Sequence, residues 1–136
     1  MELKYEVPNY KKKRVIIDTD AACEADDPFA IAHALMSQKL EVKAIFAEHF
    51  GAKETTRRSY DEIITILKAM DIEVPVFMGE EGKLSEIRSD NISPAAQFLI
   101  KEARKEDDMP LFVLCMGAIT NIASAIRECP EIVSNM

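Results

Sequence analysis

Cysteine is scarce in this 136-residue chain and follows no metal-binding or framework pattern. Cys23, Cys115 and Cys129 are odd in number and lack CxxC spacing, which excludes both a disulfide framework and a zinc site. A reducing compartment follows. No apolar stretch is long enough to cross a bilayer, and the polar N-terminus has no signal-peptide core. A cytoplasmic location with no membrane partner is therefore expected. Excess basic charge is lacking too: the net charge of −7 excludes a nucleic-acid backbone as the main partner. The one basic run, Lys11 to Arg14, is short and reads as a solvated lead-in to a strand. Repeats, low-complexity tracts and linkers are also missing. What remains, 48% hydrophobic and 30% charged, is the composition of one soluble globular domain over residues 1–136.

Short apolar runs alternate with segments of helical period. Residues 14–18, 42–48, 74–78 and 111–115 are rich in Val, Ile, Leu and Phe, as strands buried on both faces of a parallel sheet require. Helices are expected over 28–38, 55–70, 94–105 and 120–129. Asp27 would cap the first, with Pro28 at its first position, and Ser93 with Pro94 repeats the device at the third. Thr120 and Asn121 read as caps of the fourth, and Cys115 as core. The β-α-β-α-β-α-β-α order predicts an α/β, Rossmann-like, doubly wound and mostly parallel sheet.

Four carboxylates then stand out within ten residues: Asp18 and Asp20, directly after Val15-Ile16-Ile17, and Asp26-Asp27 at the start of a helix. A buried strand running into acids puts negative charge at the carboxyl edge of a sheet, where α/β proteins gather their ligands. Like charges so close call for a cation or for raised pKa values, and hard cations prefer such oxygens. A cation between Asp20 and Asp27 could acidify a water while a nearby carboxylate takes its proton. The remaining acids could accept hydrogen bonds from a polyol. Cys23 sits among these acids, which raise a thiol pKa and argue against a nucleophile.

The run Val15-Ile-Ile-Asp18-Thr-Asp20, followed by Asp26-Asp27-Pro-Phe-Ala30, resembles the N-terminal signature of the nucleoside hydrolases, the inosine-uridine preferring nucleoside N-ribohydrolase family. Residues 41–46 and 74–79 look like its second and third strands, and 115–123, Cys-Met-Gly-Ala-Ile-Thr-Asn-Ile-Ala, like its Gly-x-Leu-Thr-Asn-Ile-Ala segment. The resemblance implies Ca²⁺-dependent hydrolysis of the N-glycosidic bond of a ribonucleoside. Asp20 would ligate Ca²⁺ and serve, or sit beside, the base for the attacking water. Asp27 and the Met116 backbone carbonyl would be further ligands, Asp26 would bind ribose hydroxyls, and Asp18 would support the loop from behind. The loop between Asp20 and Asp26 is two residues longer than the family's usual one. Glu48-His49 stands where many members carry a ribose-contacting Gly-Asn, which makes both residues candidates for substrate contact. The family's last metal Asp, further ribose ligands and leaving-group His would fall beyond residue 136. The chain is thus expected to be the N-terminal half of the family's domain, with an incomplete metal shell and an apolar sheet edge that favours a homo-oligomer.

Two other enzymes or modules share part of the pattern. A haloacid-dehalogenase-like phosphatase would use Asp18 as nucleophile and Asp20 as acid, but leaves Asp26-Asp27 unexplained. A receiver-like domain needs an Asp after the third strand, where Met78-Gly79 stands. A non-catalytic α/β fragment acting as a binding module is the remaining alternative.

Overall fold

The computed structural model describes residues 6–136; the polar residues 1–5, part of the signal-peptide argument, lie outside them. Four parallel strands, β1 (Lys13–Thr19), β2 (Leu40–Ala47), β3 (Val76–Met78) and β4 (Leu111–Cys115), form one sheet in the order β3-β2-β1-β4. Helices α1 (Asp26–Met36), α2 (Thr55–Met70), α3 (Pro94–Ala103) and α4 (Thr120–Glu128) connect them. The doubly wound α/β architecture expected from the alternating pattern is present.

Alternation along the strands sorts the core into two layers. Ile17, Ile45 and Ala47 pack with Ile31 and Ala34 of α1 and Ile63 and Leu67 of α2. Ile16, Ala44 and Phe46 point the other way, onto Ala95, Ala96 and Leu99 of α3 and Ala125 of α4. There Phe46 meets Phe77 and Phe98 edge-on, at centroid separations of 6.2 and 6.1 Å, a favoured aromatic geometry. Central strand β1 therefore reads as one continuous apolar run because both of its faces are covered.

The chain winds from β1 outward to β2 and β3, then returns through α3 to place β4 on the other side of β1. The winding reverses between β1 and β4. The carboxyl ends of these two strands thus flank a topological switch point, the usual ligand crevice of such sheets.

Three local expectations are corrected. Asp27 is not the cap of α1: the helix starts at Asp26, Ala25 occupies the cap position in helical conformation, and the Asp27 side chain turns back to the Thr19 hydroxyl. Arg14 is not solvated but 2% exposed, paired with the equally buried Glu102 at 3.4 Å and donating to the Met109 carbonyl at 3.0 Å. Cys115 is not core but exposed, since it is the last residue of β4, where the strand runs out into the crevice. The cap expected at Ser93 is present, its hydroxyl accepting from the Ala96 amide at 3.2 Å. Among the described residues no helix is long and apolar enough to cross a membrane.

Candidate active site at the carboxyl edge of the sheet

Strand periodicity separates Asp18 from Thr19: Asp18 faces Asn121 of α4, Thr19 faces Asp27 of α1, and Asp20 follows the last residue of β1. Asp18 is fully buried. Its Oδ1 accepts from the Asn121 side-chain amide at 2.8 Å, while Oδ2 has no partner among the described residues. Burial pushes its pKa up to about 7 against the Asn121 hydrogen bond, and the neighbouring Asp20 charge adds to the rise.

Asp20, just past the end of β1, and Asp27, the second residue of α1, stand close enough for the charge of one carboxylate to act on the other. Burial raises the Asp27 pKa, the Thr19 hydroxyl opposes it, and the Asp20 carboxylate adds to it. Asp20 also lies against the turn after β4. A Cβ on Gly117 would fall 2.5 Å from its Oδ1, so any other residue there would push the Asp20 carboxylate aside. Met116, one residue earlier, donates its amide to the Asp18 carbonyl at 2.9 Å and extends the β1–β4 ladder into the crevice. Asp26 is exposed beside the pair. Cys23 is exposed in the same loop; desolvation and the Asp20 and Glu24 charges push its thiol up, in keeping with a non-nucleophile.

His49 leaves β2 at the same edge. Its Nδ1 accepts from the Gly51 amide at 3.3 Å, which assigns the ring hydrogen to Nε2, 3.0 Å from the Thr120 hydroxyl. Glu48 does not stand where a substrate could touch it. It is fully buried, and its two oxygens accept from the backbone amides of His49 (3.1 Å) and Asn121 (3.2 Å). Burial pushes its pKa up to about 8, Asp18 and Glu80 add to the rise, and the two amides oppose it.

Asn121 and Thr120 are not caps. Helix α4 has no side-chain cap, and both side chains reach into the crevice instead. The Asn121 amide donates to Asp18 and to the Ala47 carbonyl (3.3 Å) and accepts from the Glu80 amide (2.7 Å). The sequence signal for this was Gly79: a Cβ there would meet the Ala47 carbonyl at 2.2 Å and both Asn121 amide atoms at 2.3–2.4 Å.

In donor chemistry, Asp20, Asp27 and the Met116 carbonyl suit a hard cation. In number they are few: among the described residues no three acidic, His or Cys side chains are gathered closely enough to hold an ion. The phosphatase alternative fails on Asp18, since a nucleophile cannot be fully buried and held by an amide.

Fold and site together define an α/β protein with an acidic ligand crevice at its switch point. The sequence profile of the inosine-uridine preferring nucleoside hydrolases matches residues 15–136. The chain belongs to that family. It is 30% identical over 140 residues to the pyrimidine-specific ribonucleoside hydrolase RihA of Salmonella typhimurium, across 87% of this chain and 44% of that protein. Its fold superposes on an inosine-guanosine nucleoside hydrolase with a TM-score of 0.71 and 27% identity, covering 92% of this chain and 44% of the other. A nucleoside hydrolase-related protein from Saccharophagus degradans shares the fold at a TM-score of 0.65 and 18% identity, over 91% of this chain and 37% of the other. The chain thus spans less than half the length of these relatives.

Proposed function

We propose that this chain carries the metal- and ribose-binding half of a ribonucleoside hydrolase site, for cleavage of the N-glycosidic bond to base and ribose. The observation that supports this best is the Asp20 carboxylate packed on the Met116-Gly117 turn at the switch point, with Asp27 near enough to feel its charge. Asp20, Asp27 and the Met116 carbonyl are the protein donors to Ca²⁺, with other oxygens completing the roughly six to eight the ion takes. The bound ion supplies the charge that makes a water acidic. Asp20 would receive that water's proton, and Asp26 and His49 would hold ribose hydroxyls. The negative edge favours the positive charge that develops on the sugar as the glycosidic bond breaks. The two named relatives differ in the bases they prefer, so the proposal extends to a ribonucleoside and not to its base. Three free thiols support a cytoplasmic setting, and the one-sided edge of β4 supports a homo-oligomer.

The test is release of base from inosine, uridine and a nitrophenyl riboside, with Ca²⁺ and again with chelator. Chelator-sensitive release is expected if the shell is completed by solvent, substrate or another chain. A folded sample that releases nothing would reduce the chain to a non-catalytic module. Ca²⁺ uptake separately checks the ligands: Asp20→Asn should abolish it, and unchanged affinity would sink the assignment.

A further inference from the structure

We infer that Asn121 is a positioning residue of this centre. Its side-chain amide fixes where Asp18, and through it Asp20, stands relative to the turns after β2 and β3. The inference rests on the reading of the site given above.

Three side-chain bonds of Asn121 end on three different strand ends: Asp18 on β1, the Ala47 carbonyl on β2 and the Glu80 amide just past β3. Its backbone amide adds a fourth, to Glu48, whose other oxygen holds the amide of His49. One fully buried residue therefore ties together every strand end that supplies a site residue except β4, which α4 itself follows. Glu80 extends the frame: its carboxylate accepts from the Ser93 amide at 3.0 Å, and its carbonyl from the Thr56 hydroxyl at 2.9 Å.

Few other side chains can do this. The position needs a donor toward Asp18 and Ala47 and an acceptor toward the Glu80 amide, which an amide offers and a carboxylate does not. Glutamine has the chemistry, but its extra methylene would displace the amide that Asn121 lays against the Gly79 backbone. Among the described residues Asp18 has no other side-chain partner, since its Oδ2 is unpaired. Two residues on, Asp20 is seated on Gly117, and the Met116 amide is already bound to the Asp18 carbonyl. Displacement of Asp18 is therefore transmitted through β1 to Asp20 and the Met116 turn, and through Asp20 to Asp27.

The experiment is a reciprocal exchange. Asn121→Asp keeps the acceptor for Glu80 and removes the donor to Asp18; Asp18→Asn added to it restores a donor between the two positions. Each single variant and the pair are compared with wild type by carbon NMR of the Asp20 and Asp27 carboxyls, by Ca²⁺ titration calorimetry and by thermal melting. Asn121→Asp should move both carboxyl resonances and weaken Ca²⁺ at least about tenfold in molecules that are still folded. The pair should return the resonances, and its Ca²⁺ affinity should exceed the sum of the single effects. A role confined to stability would lower the melting temperature and leave the resonances and the affinity of the folded protein untouched, which overturns the inference. Where Asn121→Asp fails to fold, Asn121→Ser is judged by the same readings. Wild type that takes up no Ca²⁺ while Asn121 variants still shift the carboxyls would remove the metal assignment and uphold the positioning role.

Discussion

Glu48 is a carboxylate with no exposed surface, answered by two backbone amides and, at 3.4 Å, by the His49 ring. Asp18 and Glu80 face it with charge of its own sign, and burial carries its pKa from 4.5 up to about 8. Between those values the folded protein holds a proton that the unfolded chain releases. Stability linked to Glu48 is thus fully present below about pH 4.5 and is lost as pH rises through about 8. Urea unfolding in chelator at about pH 5 and about pH 8 should show wild type losing more stability than Glu48→Gln. Parallel losses would refute it. Arg14 offers a second check at this scale. Glu102→Ala leaves the buried guanidinium with the half-buried Asp107, at 3.4 Å, as its one remaining acidic partner among the described residues, and should cost about 3 kcal/mol in the same assay. A cost under about 1 kcal/mol would place the pair among surface ion pairs. Neither environment was legible in the sequence. Glu48 looked available because it follows a strand, and Arg14 looked solvated because three lysines precede it; burial of each depends on partners more than 70 residues away.

Among the elements, legibility followed the strength of local rules. Residues 55–70 and 111–115 have the bounds expected of them, since one has a long amphipathic stripe and the other an unbroken apolar run. Ser93-Pro94 was readable because a hydroxyl capping its own helix is a local event. Ser93→Ala should therefore cost about 1 kcal/mol, measured by denaturant midpoint, with the site unaffected; Ca²⁺ affinity is the control. At α1 and α4 the same rule misled. Asp27 and Asn121 are good capping residue types at helix starts, but Thr19 and Asp18 on β1 compete for their side chains and win. Capping residues diverted from their helices thus point to the crevice. That signal is invisible until the sheet order is known.

For the whole molecule, the relation between edges and site limits what a second copy can do. β1 is paired on both sides, whereas among the described residues β4 is paired only with β1, and Phe112 on it is 43% exposed. Such an edge favours self-association. Two copies joined through β4 about a two-fold axis must pair antiparallel, since the symmetry reverses the strand. The acidic crevices, both at carboxyl ends, would then lie at opposite ends of the joint and could not complete one another. Sedimentation should accordingly show a dimer that Phe112→Lys converts to monomer, with Ca²⁺ affinity per chain the same in both forms. A wild-type monomer would exclude the β4 joint. A dimer that binds Ca²⁺ more tightly than its monomeric variant would show that the partner contributes ligands, through some arrangement other than a two-fold edge.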